Sequence, residues 1–117
     1  MKSLNLICIC TIATAVIFSC KKEDPIDCAG VTPTYTADIG PILNQQCAFA
    51  GCHGGNNPSD GIDLSNYADA KSESTNGKVI ASIKHAAGTK AMPKGGQKLS
   101  DSDIKLIECW VQNGAPQ

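Results

Sequence analysis

The run from Cys47 to His53 is the feature that most constrains how this chain can fold. Two thiols, Cys47 and Cys52, are separated by four residues, and the imidazole of His53 follows the second thiol directly. Only five of the 117 residues are aromatic, which is few for the core of a small domain. A domain of this size buries little of its own surface and often depends on a disulfide, a metal or a cofactor. We therefore expect the chain to be organised around this run.

The spacing of apolar residues predicts an all-α fold of three to five short helices joined by long loops. Ile39, Leu43 and Cys47 recur every four residues and give the first helix its apolar stripe. The predicted helices cover residues 37–47, 66–71 and 78–86, and a last one begins after Ser100 and stops at Gly114. Residues 54–63 and 88–99 contain several glycines and prolines and are predicted to be loops.

Polar residues mark where these helices begin. Thr36 and Ser65 are the expected N-caps of the first two helices, and Ser100 is the expected N-cap of the last one, which has an acidic first turn. The apolar stripe of the last helix consists of Ile104, Ile107, Trp110 and Val111. This stripe is expected to face the core.

The N-terminal segment predicts export and a lipid anchor. Lys2 precedes an almost wholly apolar run over residues 4–18, which is typical of a secretory signal peptide. The run is too short for an ordinary membrane-spanning helix, which needs about 20 residues. Ser19 and Cys20 resemble the cleavage site of a bacterial lipoprotein, in which the cysteine is acylated. The alternative is a plain signal peptide with an incidental cysteine.

This interpretation divides the chain into a signal peptide (residues 1–19), a tether (residues 20–35) and one small domain (residues 36–117). The tether is polar and is interrupted by Pro25 and Pro33. We expect the domain in the bacterial cell envelope, on the periplasmic face or the outer-membrane surface, anchored to the membrane through the lipid on Cys20.

The seven cysteines can be sorted by position. Cys8 and Cys10 would leave with the signal peptide, Cys20 would carry the lipid, and two belong to the central run. An exported protein meets an oxidising compartment, so we expect the remaining two, Cys28 and Cys109, to form a disulfide. Cys109 lies away from the apolar stripe of the last helix, which suits a bond to a segment that wraps the outside. The alternative is two free thiols.

The order of Cys47, Cys52 and His53 predicts one covalently bound c-type haem. Two thiols add to the two vinyl groups of such a haem, and the histidine beside the second thiol binds the iron, as in the signature C-x-x-C-H. Here four residues rather than two separate the cysteines, so the extra residues have to bulge outward. Gly51 offers the backbone freedom for that turn.

The second axial ligand is expected in the distal half of the chain, where Met92 and His85 are the candidates. Met92 precedes Pro93, which favours an extended backbone, and it lies in a loop rich in glycine and lysine. An apolar side chain in such a loop has to point at something, although a methionine there can also be plain packing. His85 ends the third predicted helix, where an imidazole can simply meet the terminal carbonyls.

Residues 35–116 contain several short motifs. They comprise Ile39, Ile42, Leu43 and Cys47; Cys52, His53 and Gly54; Met92, Pro93, Gly95 and Gly96; Leu99 and Ser100; and Trp110, Val111, Gly114 and Ala115. With these motifs the chain resembles the small single-haem cytochrome c domains found in exported proteins of Bacteroidetes and Planctomycetes. The four-residue spacer between the cysteines is a departure from the usual pattern.

The resemblance implies a cytochrome c-like fold, in which short helices and long loops wrap round one haem. The implied site residues are Cys47 and Cys52 as thioether anchors, His53 as the proximal iron ligand and Met92 as the distal ligand. The resemblance also implies that the first and last helices cross. Gly40 would allow their close approach, and Trp110 would pack nearby.

An iron with both axial positions filled by protein has no free site for a substrate, so we expect outer-sphere electron transfer rather than an enzyme activity. His/Met ligation raises the haem potential relative to more basic axial pairs. A net charge of −1 gives no support to nucleic-acid binding. The lysines around Met92 in the sequence could steer an acidic redox partner, or could simply be solvated. They are Lys84, Lys90, Lys94 and Lys98.

Three other functions would use the same residues. A haem enzyme or ligand sensor would have an open distal site, in which Met92 does not bind the iron. A structural zinc module would use Cys47, Cys52, His53 and His85. Cys52 and His53 are adjacent in sequence, however, and such a pair is poorly placed to bind one tetrahedral ion. An interaction protein would use its cysteines only in disulfides, among them Cys47–Cys52.

Overall fold

The computed structural model describes residues 25–117, and this part of the chain is helical. Its α-helices are α1 (Gly40–Gln46), α2 (Tyr67–Thr75), α3 (Lys78–Ile83) and α4 (Asp101–Gln112). A π-helical segment, Tyr35–Ile39, leads into α1, and a 3-10 turn, Ser59–Gly61, lies in the loop before α2. Residues 25–117 contain no β-strand, so the predicted all-α class is confirmed for them.

The predicted signal peptide (residues 1–19), the predicted acylation site Cys20 and the first part of the tether lie outside the described residues. Within residues 25–117, none of the helices is long and apolar enough to cross a membrane.

The first helical segment begins two residues earlier than the sequence predicted, at Tyr35. Thr34, not Thr36, is the N-cap, because its hydroxyl accepts a hydrogen bond from the Ala37 amide at 3.3 Å. The Thr34 amide in turn donates to the Asp38 carboxylate at 2.9 Å. These reciprocal bonds satisfy two amides that the start of a helix leaves without partners.

Helix α2 begins at a different cap and runs further than predicted. The side-chain oxygen of Asn66, not that of Ser65, accepts a hydrogen bond from the Asp69 amide at 3.0 Å. The helix reaches Thr75, past its predicted end at residue 71, because no glycine or proline interrupts the chain before Gly77. Gly77 has a φ of 82° and separates α2 from α3.

Helix α3 ends at Ile83, three residues short of the prediction. His85, two residues later, has a φ of 56°. This is the left-handed region, in which an α-helix of L-residues cannot continue. The chain therefore turns away at His85 and starts the long loop to α4.

Helix α4 begins as the sequence predicted, with Ser100 as its N-cap. The Ser100 hydroxyl accepts a hydrogen bond from the Asp103 amide at 3.1 Å and donates one to the Asp103 carboxylate at 2.7 Å. Ile104, Ile107 and Trp110 of the predicted stripe are buried. The amphipathic pattern of α4 was thus sufficient to identify the face that meets the core.

An aromatic cluster around Trp110 forms the centre of the core. Trp110 is fully buried, and the Tyr35 ring lies 6.1 Å from the Trp110 ring and 5.4 Å from the Tyr67 ring. The Trp110 indole N–H donates to the Pro116 carbonyl at 2.7 Å, and the Tyr67 hydroxyl donates to the Ala115 carbonyl at 2.9 Å. The residues after α4 are therefore folded back onto the cluster.

The close approach expected at Gly40 is made to Tyr35 rather than to α4. A Cβ atom on Gly40 would lie 3.0 Å from the Tyr35 carbonyl oxygen and 3.4 Å from its ring. The Tyr35 ring packs in turn near Trp110. The first helical segment thus meets α4 through this aromatic pair.

Cys28 and Cys109 form the predicted disulfide, with their Cα atoms 5.5 Å apart. Cys109 lies on the face of α4 that points away from the apolar stripe, yet it is fully buried. The segment before the first helix lies alongside this face, where the Asn113 side chain donates to the Val31 carbonyl at 3.0 Å. In the chain-entropy model, a bond across 81 residues stabilises the fold by about 4 kcal/mol.

Candidate cofactor site

Cys47 follows α1 directly, and its thiol is buried. The Cys47 amide donates to the Leu43 carbonyl at 2.8 Å, and only 9% of the residue is exposed. Burial raises the pKa of the Cys47 thiol to about 11, with a smaller contribution from the nearby Cys52. A thiol with this pKa is protonated near neutral pH. Because the thiolate is the reactive form of cysteine, Cys47 is less reactive than an unperturbed thiol.

The spacer between the cysteines contains one tight turn, over residues 49–52. The Cys52 amide donates to the Phe49 carbonyl at 3.0 Å, and Gly51 has a φ of 83°, as a type II turn requires at its third position. The His53 amide donates to the Cys47 carbonyl at 3.0 Å and closes the base of the turn. Gly51 therefore makes the turn that the sequence predicted for it.

The two thiols of this loop differ in exposure. Cys47 is buried and Cys52 is exposed, and both are free, so the Cys47–Cys52 disulfide of the interaction-protein alternative is not formed here. Phe49, the first residue of the turn, is 47% exposed and is the one large hydrophobic residue classed as exposed among residues 25–117. The loop thus presents one thiol and one aromatic ring to the solvent.

His53 has one ring nitrogen engaged and the other available. Nδ1 lies 3.2 Å from the Ile62 carbonyl oxygen, and since a carbonyl can only accept, Nδ1 carries the proton. In the neutral ring this leaves Nε2 with a free lone pair. A metal-binding histidine typically has this arrangement, in which a backbone carbonyl holds the second nitrogen and fixes the tautomer.

Two adjoining cavities open among the described residues beside this loop. The smaller cavity has a volume of about 190 Å³ and the larger one about 480 Å³, and the larger volume is in the range of known ligand sites. Both are lined by Cys47, His53, Met92, Asp60 and Lys90, and Cys52 lines the larger one. Ile62, Leu64, Val79 and Ile83 give the smaller cavity an apolar wall. We call the two cavities together the cleft.

Met92 reaches the cleft from the opposite side, on the loop after α3. Its amide donates to the Ser82 carbonyl at 3.1 Å, and its carbonyl accepts a hydrogen bond from His85 Nε2 at 3.0 Å. The loop is thereby folded against the C-terminal end of α3, which also contributes Val79 and Ile83 to the cleft wall. The structure thus brings Met92 to the same cleft as the two cysteines and His53.

His85, the other candidate for the second axial ligand, is exposed and lines neither cavity. Its Nε2 is already engaged with the Met92 carbonyl. The four residues of the zinc alternative are therefore not assembled. Among residues 25–117, no group of three or more histidine, cysteine or acidic side chains is close enough to hold a metal ion.

Most of the lysines near Met92 are paired with carboxylates, so the positive charge that the sequence suggested is partly neutralised. Within the described part of the chain, three of them form ion pairs: Lys84 with Glu108 (3.0 Å), Lys90 with Asp60 (3.4 Å) and Lys98 with Asp101 (3.3 Å). The pair of Lys90 and Asp60 crosses the cleft, because one residue lies on the Met92 loop and the other on the loop after His53. An acidic partner for these lysines stays a prediction.

Several contributors to the cleft were not identified from the sequence. The carbonyls of Ile62 and Ser82 act through the backbone, which leaves no side-chain signature to find. Asp60 has a φ of 57°, and its pairing with Lys90 depends on the fold of two separate loops. Only the Asp60-Gly61 dipeptide carried a local signal, and it indicates a turn rather than a cleft.

Comparisons with the profiles of known protein families, with curated proteins and with solved structures find no match for this chain.

Proposed function

We propose that this protein is an electron carrier that holds one covalently bound c-type haem in the cleft. The observation that carries this proposal is the set of side chains on one cleft. Cys47, His53 and Met92 line both cavities and Cys52 lines the larger one. Two thiols and two iron ligands are the groups that such a haem requires, and here they lie around a mostly apolar wall.

Each of these residues would have one task. Cys47 and Cys52 would hold the haem through thioether bonds. His53, through its free Nε2, and Met92, through its sulfur, would bind the iron. When bound, the haem supplies an iron centre that takes up and releases one electron. With both axial ligands from the protein, no position is left for a substrate, and the protein would act as a carrier rather than an enzyme.

The environment of His53 supports its assignment. The hydrogen bond from Nδ1 to the Ile62 carbonyl fixes the ring orientation and the tautomer that leaves Nε2 unprotonated. Leu64 strengthens the same contact, because its amide donates to the His53 carbonyl at 2.7 Å. His53 is thus held by two backbone groups of the same segment, the Ile62 carbonyl and the Leu64 amide.

The wall of the cleft would tune the redox centre. Ile62, Leu64, Val79 and Ile83 form an apolar wall of the smaller cavity, and an apolar shell around a metal site controls its solvent access and its potential. The exposed Cys52 and Phe49 mark the side of the cleft that a partner protein can reach. His/Met ligation would raise the potential relative to more basic pairs.

We also propose that the protein is exported and lipid-anchored in the bacterial cell envelope. The disulfide between Cys28 and Cys109 supports this, because disulfides persist in oxidising compartments. Cys28 is tied to α4 by the disulfide, so only seven residues, 21–27, separate the proposed lipid anchor at Cys20 from this point of the domain. The domain would then work close to its membrane, with redox proteins as partners.

The intact mass of the purified protein tests haem attachment. The mature chain, produced together with a cytochrome c maturation system, is expected to gain the mass of one haem that survives denaturation. A Cys47→Ala/Cys52→Ala variant is the matched control, and it should carry no covalent haem. A wild-type mass without haem would contradict the proposal and favour the interaction-protein alternative.

Carbon monoxide binding to the reduced, haem-loaded protein separates a carrier from the alternative of an enzyme or sensor with an open distal site. A carrier with Met92 on the iron should bind carbon monoxide slowly or weakly. Fast binding by the wild type, equal to that of a Met92→Ala variant, would favour the open-site alternative.

A further inference from the structure

We infer that His85 is a positioning residue, which holds Met92 at the cleft through the hydrogen bond from its imidazole to the Met92 carbonyl. This inference rests on the proposed function for the role of Met92 itself. It gives His85 a task that differs from both sequence-based possibilities, iron ligation and capping of the end of α3.

The geometry of the hydrogen bond fixes the role of the imidazole. His85 Nε2 lies 3.0 Å from the Met92 carbonyl oxygen, and a carbonyl oxygen can only accept. Nε2 therefore carries the proton and donates. The residue spans the loop from its start to the ligand, because seven positions separate His85 from Met92.

Both ends of this loop are tied to one carbonyl of α3. The amides of His85 and Met92 each donate to the Ser82 carbonyl, both at 3.1 Å. Met92 is thus held on its amide side by Ser82 and on its carbonyl side by His85. A side chain held by its backbone on both sides keeps its direction toward the cleft, and removal of one tie frees the loop to move.

The backbone conformation at position 85 would suit glycine better than histidine, so the histidine is explained by the contact that its side chain makes. His85 has a φ of 56° and follows Lys84, the C-cap of α3. Glycine is the usual residue at a left-handed position after a helix, because it has no Cβ to clash. A histidine is strained there, and the hydrogen bond to Met92 offsets that strain.

This contrast gives a test in which stability and positioning move in different directions. A His85→Gly variant relieves the backbone strain and removes the bond to Met92. A merely structural histidine would then be replaced without harm to the site. A positioning histidine would leave the domain folded and weaken the bond between Met92 and the iron.

The experiment uses the haem-loaded, full-length mature protein and three variants. The readouts are the weak far-red absorption band of the oxidised protein that marks Met–Fe(III) ligation, carbon monoxide binding to the reduced protein, and urea unfolding. His85→Gln is the conservative variant, because its amide nitrogen lies at a similar reach from Cβ. Thr89→Ala is the matched control, because Thr89 lies on the same loop and its hydroxyl donates to the Ala81 and Ala86 carbonyls but does not bond Met92.

We expect His85→Gly to lose much of the far-red band and to bind carbon monoxide several-fold to about tenfold more tightly, the range that corresponds to the loss of one hydrogen bond. His85→Gln should restore the band, and Thr89→Ala should keep it. An unchanged band and unchanged carbon monoxide binding in His85→Gly would overturn the inference. Equal losses in the Gly and Gln variants would also overturn it, since the donor would then be irrelevant.

Failure of the inference and failure of the proposed function are distinguishable in the same samples. A wild type that carries covalent haem but lacks the far-red band rules out Met92 as ligand, and with it the positioning role, while haem attachment stands. A wild type without haem rules out the proposed function and the inference together.

Discussion

Around Trp110, side chains from several segments pack together, whereas the two loops that carry Cys47, Cys52, His53 and Met92 are held mainly by backbone hydrogen bonds. We call the first region the Trp110 side, which comprises Trp110, Tyr35, Tyr67 and the disulfide between Cys28 and Cys109. The cleft side comprises the Cys47–His53 loop and the Met92 loop. The Trp110 side is fully buried at its centre, and the cleft side leaves Cys52 and Phe49 exposed.

The difference shows where stability and function are expected to reside. The Trp110 side is held together without any cofactor by the buried Trp110 ring against two partly buried tyrosine rings, by a disulfide, and by the hydrogen bonds of Trp110 and Tyr67 to the chain end. The cleft side contributes fewer buried side chains and holds the groups that would bind haem. Substitutions on the Trp110 side should therefore lower the stability of the domain, and substitutions on the cleft side should alter the spectrum of a domain that stays folded.

Trp110→Ala is expected to have the largest effect on stability. Loss of a fully buried indole leaves a large cavity, and we expect the free energy of unfolding to fall by about 3–5 kcal/mol. Urea unfolding followed by circular dichroism measures this loss. Trp110→Phe is the control, because it keeps an aromatic ring and removes the bond to the Pro116 carbonyl, so its loss should be smaller. A loss from Trp110→Ala below about 1 kcal/mol would contradict the assignment of the core.

Removal of the disulfide is expected to come next. A Cys28→Ala/Cys109→Ala variant should lose about 2–4 kcal/mol of stability, because the unfolded chain regains the freedom of an 81-residue separation. The far-red band of the haem-loaded protein should not change. The wild type measured with and without a reductant provides the control, since reduction should reproduce the loss. A spectral change in the variant would mean that the two sides are coupled.

Met92→Ala is expected to have the opposite effect, with a changed spectrum and a nearly unchanged stability. Met92 is half-buried on a loop, so the haem-free domain should change in stability by less than about 1 kcal/mol. The haem-loaded variant should lose the far-red band completely. Met92→Leu is the control for packing, because it keeps an apolar side chain of similar size and still removes the sulfur. Retention of the band in either variant would exclude Met92 as ligand.

The ion pair across the cleft is expected to matter least. Lys90 and Asp60 are both well exposed, so Lys90→Gln should destabilise the domain by less than about 0.5 kcal/mol. Lys98→Gln is the matched control, because Lys98 pairs with Asp101 away from the cleft. Unfolding at low and high salt measures both. An effect of Lys90→Gln well above that of the control would show that this pair holds the two loops together.

The sequence predicted the elements whose signals are local. Ser100 and the stripe of α4 were identified because a cap and an apolar period lie within one segment. The cap of the first helix was misplaced by two residues, because Thr34 and Thr36 are both good caps and only the bond to Asp38 distinguishes them. The π-helical start at Tyr35 has no recognisable sequence pattern.

Features that depend on contacts between segments far apart in the sequence could not be predicted from local patterns. The Cys28–Cys109 pairing was predicted, but the complete burial of Cys109 depends on a segment about 80 residues away that lies over α4. The site residues were predicted by type and order. Their support by the Ile62 and Ser82 carbonyls was not, because backbone groups have no sequence signature. His85 was considered as a ligand, and the structure instead bonds it to the Met92 backbone.

The central claim is that Cys47 and Cys52 both anchor one haem across their four-residue spacer. A reduced-minus-oxidised spectrum of the denatured protein in alkaline pyridine reports the haem and the number of its thioether bonds together. We predict the spectrum of a haem attached through two thioethers, and a shift to the spectrum of a single thioether in Cys47→Ala and in Cys52→Ala. A wild-type spectrum with no haem contribution would contradict the claim directly.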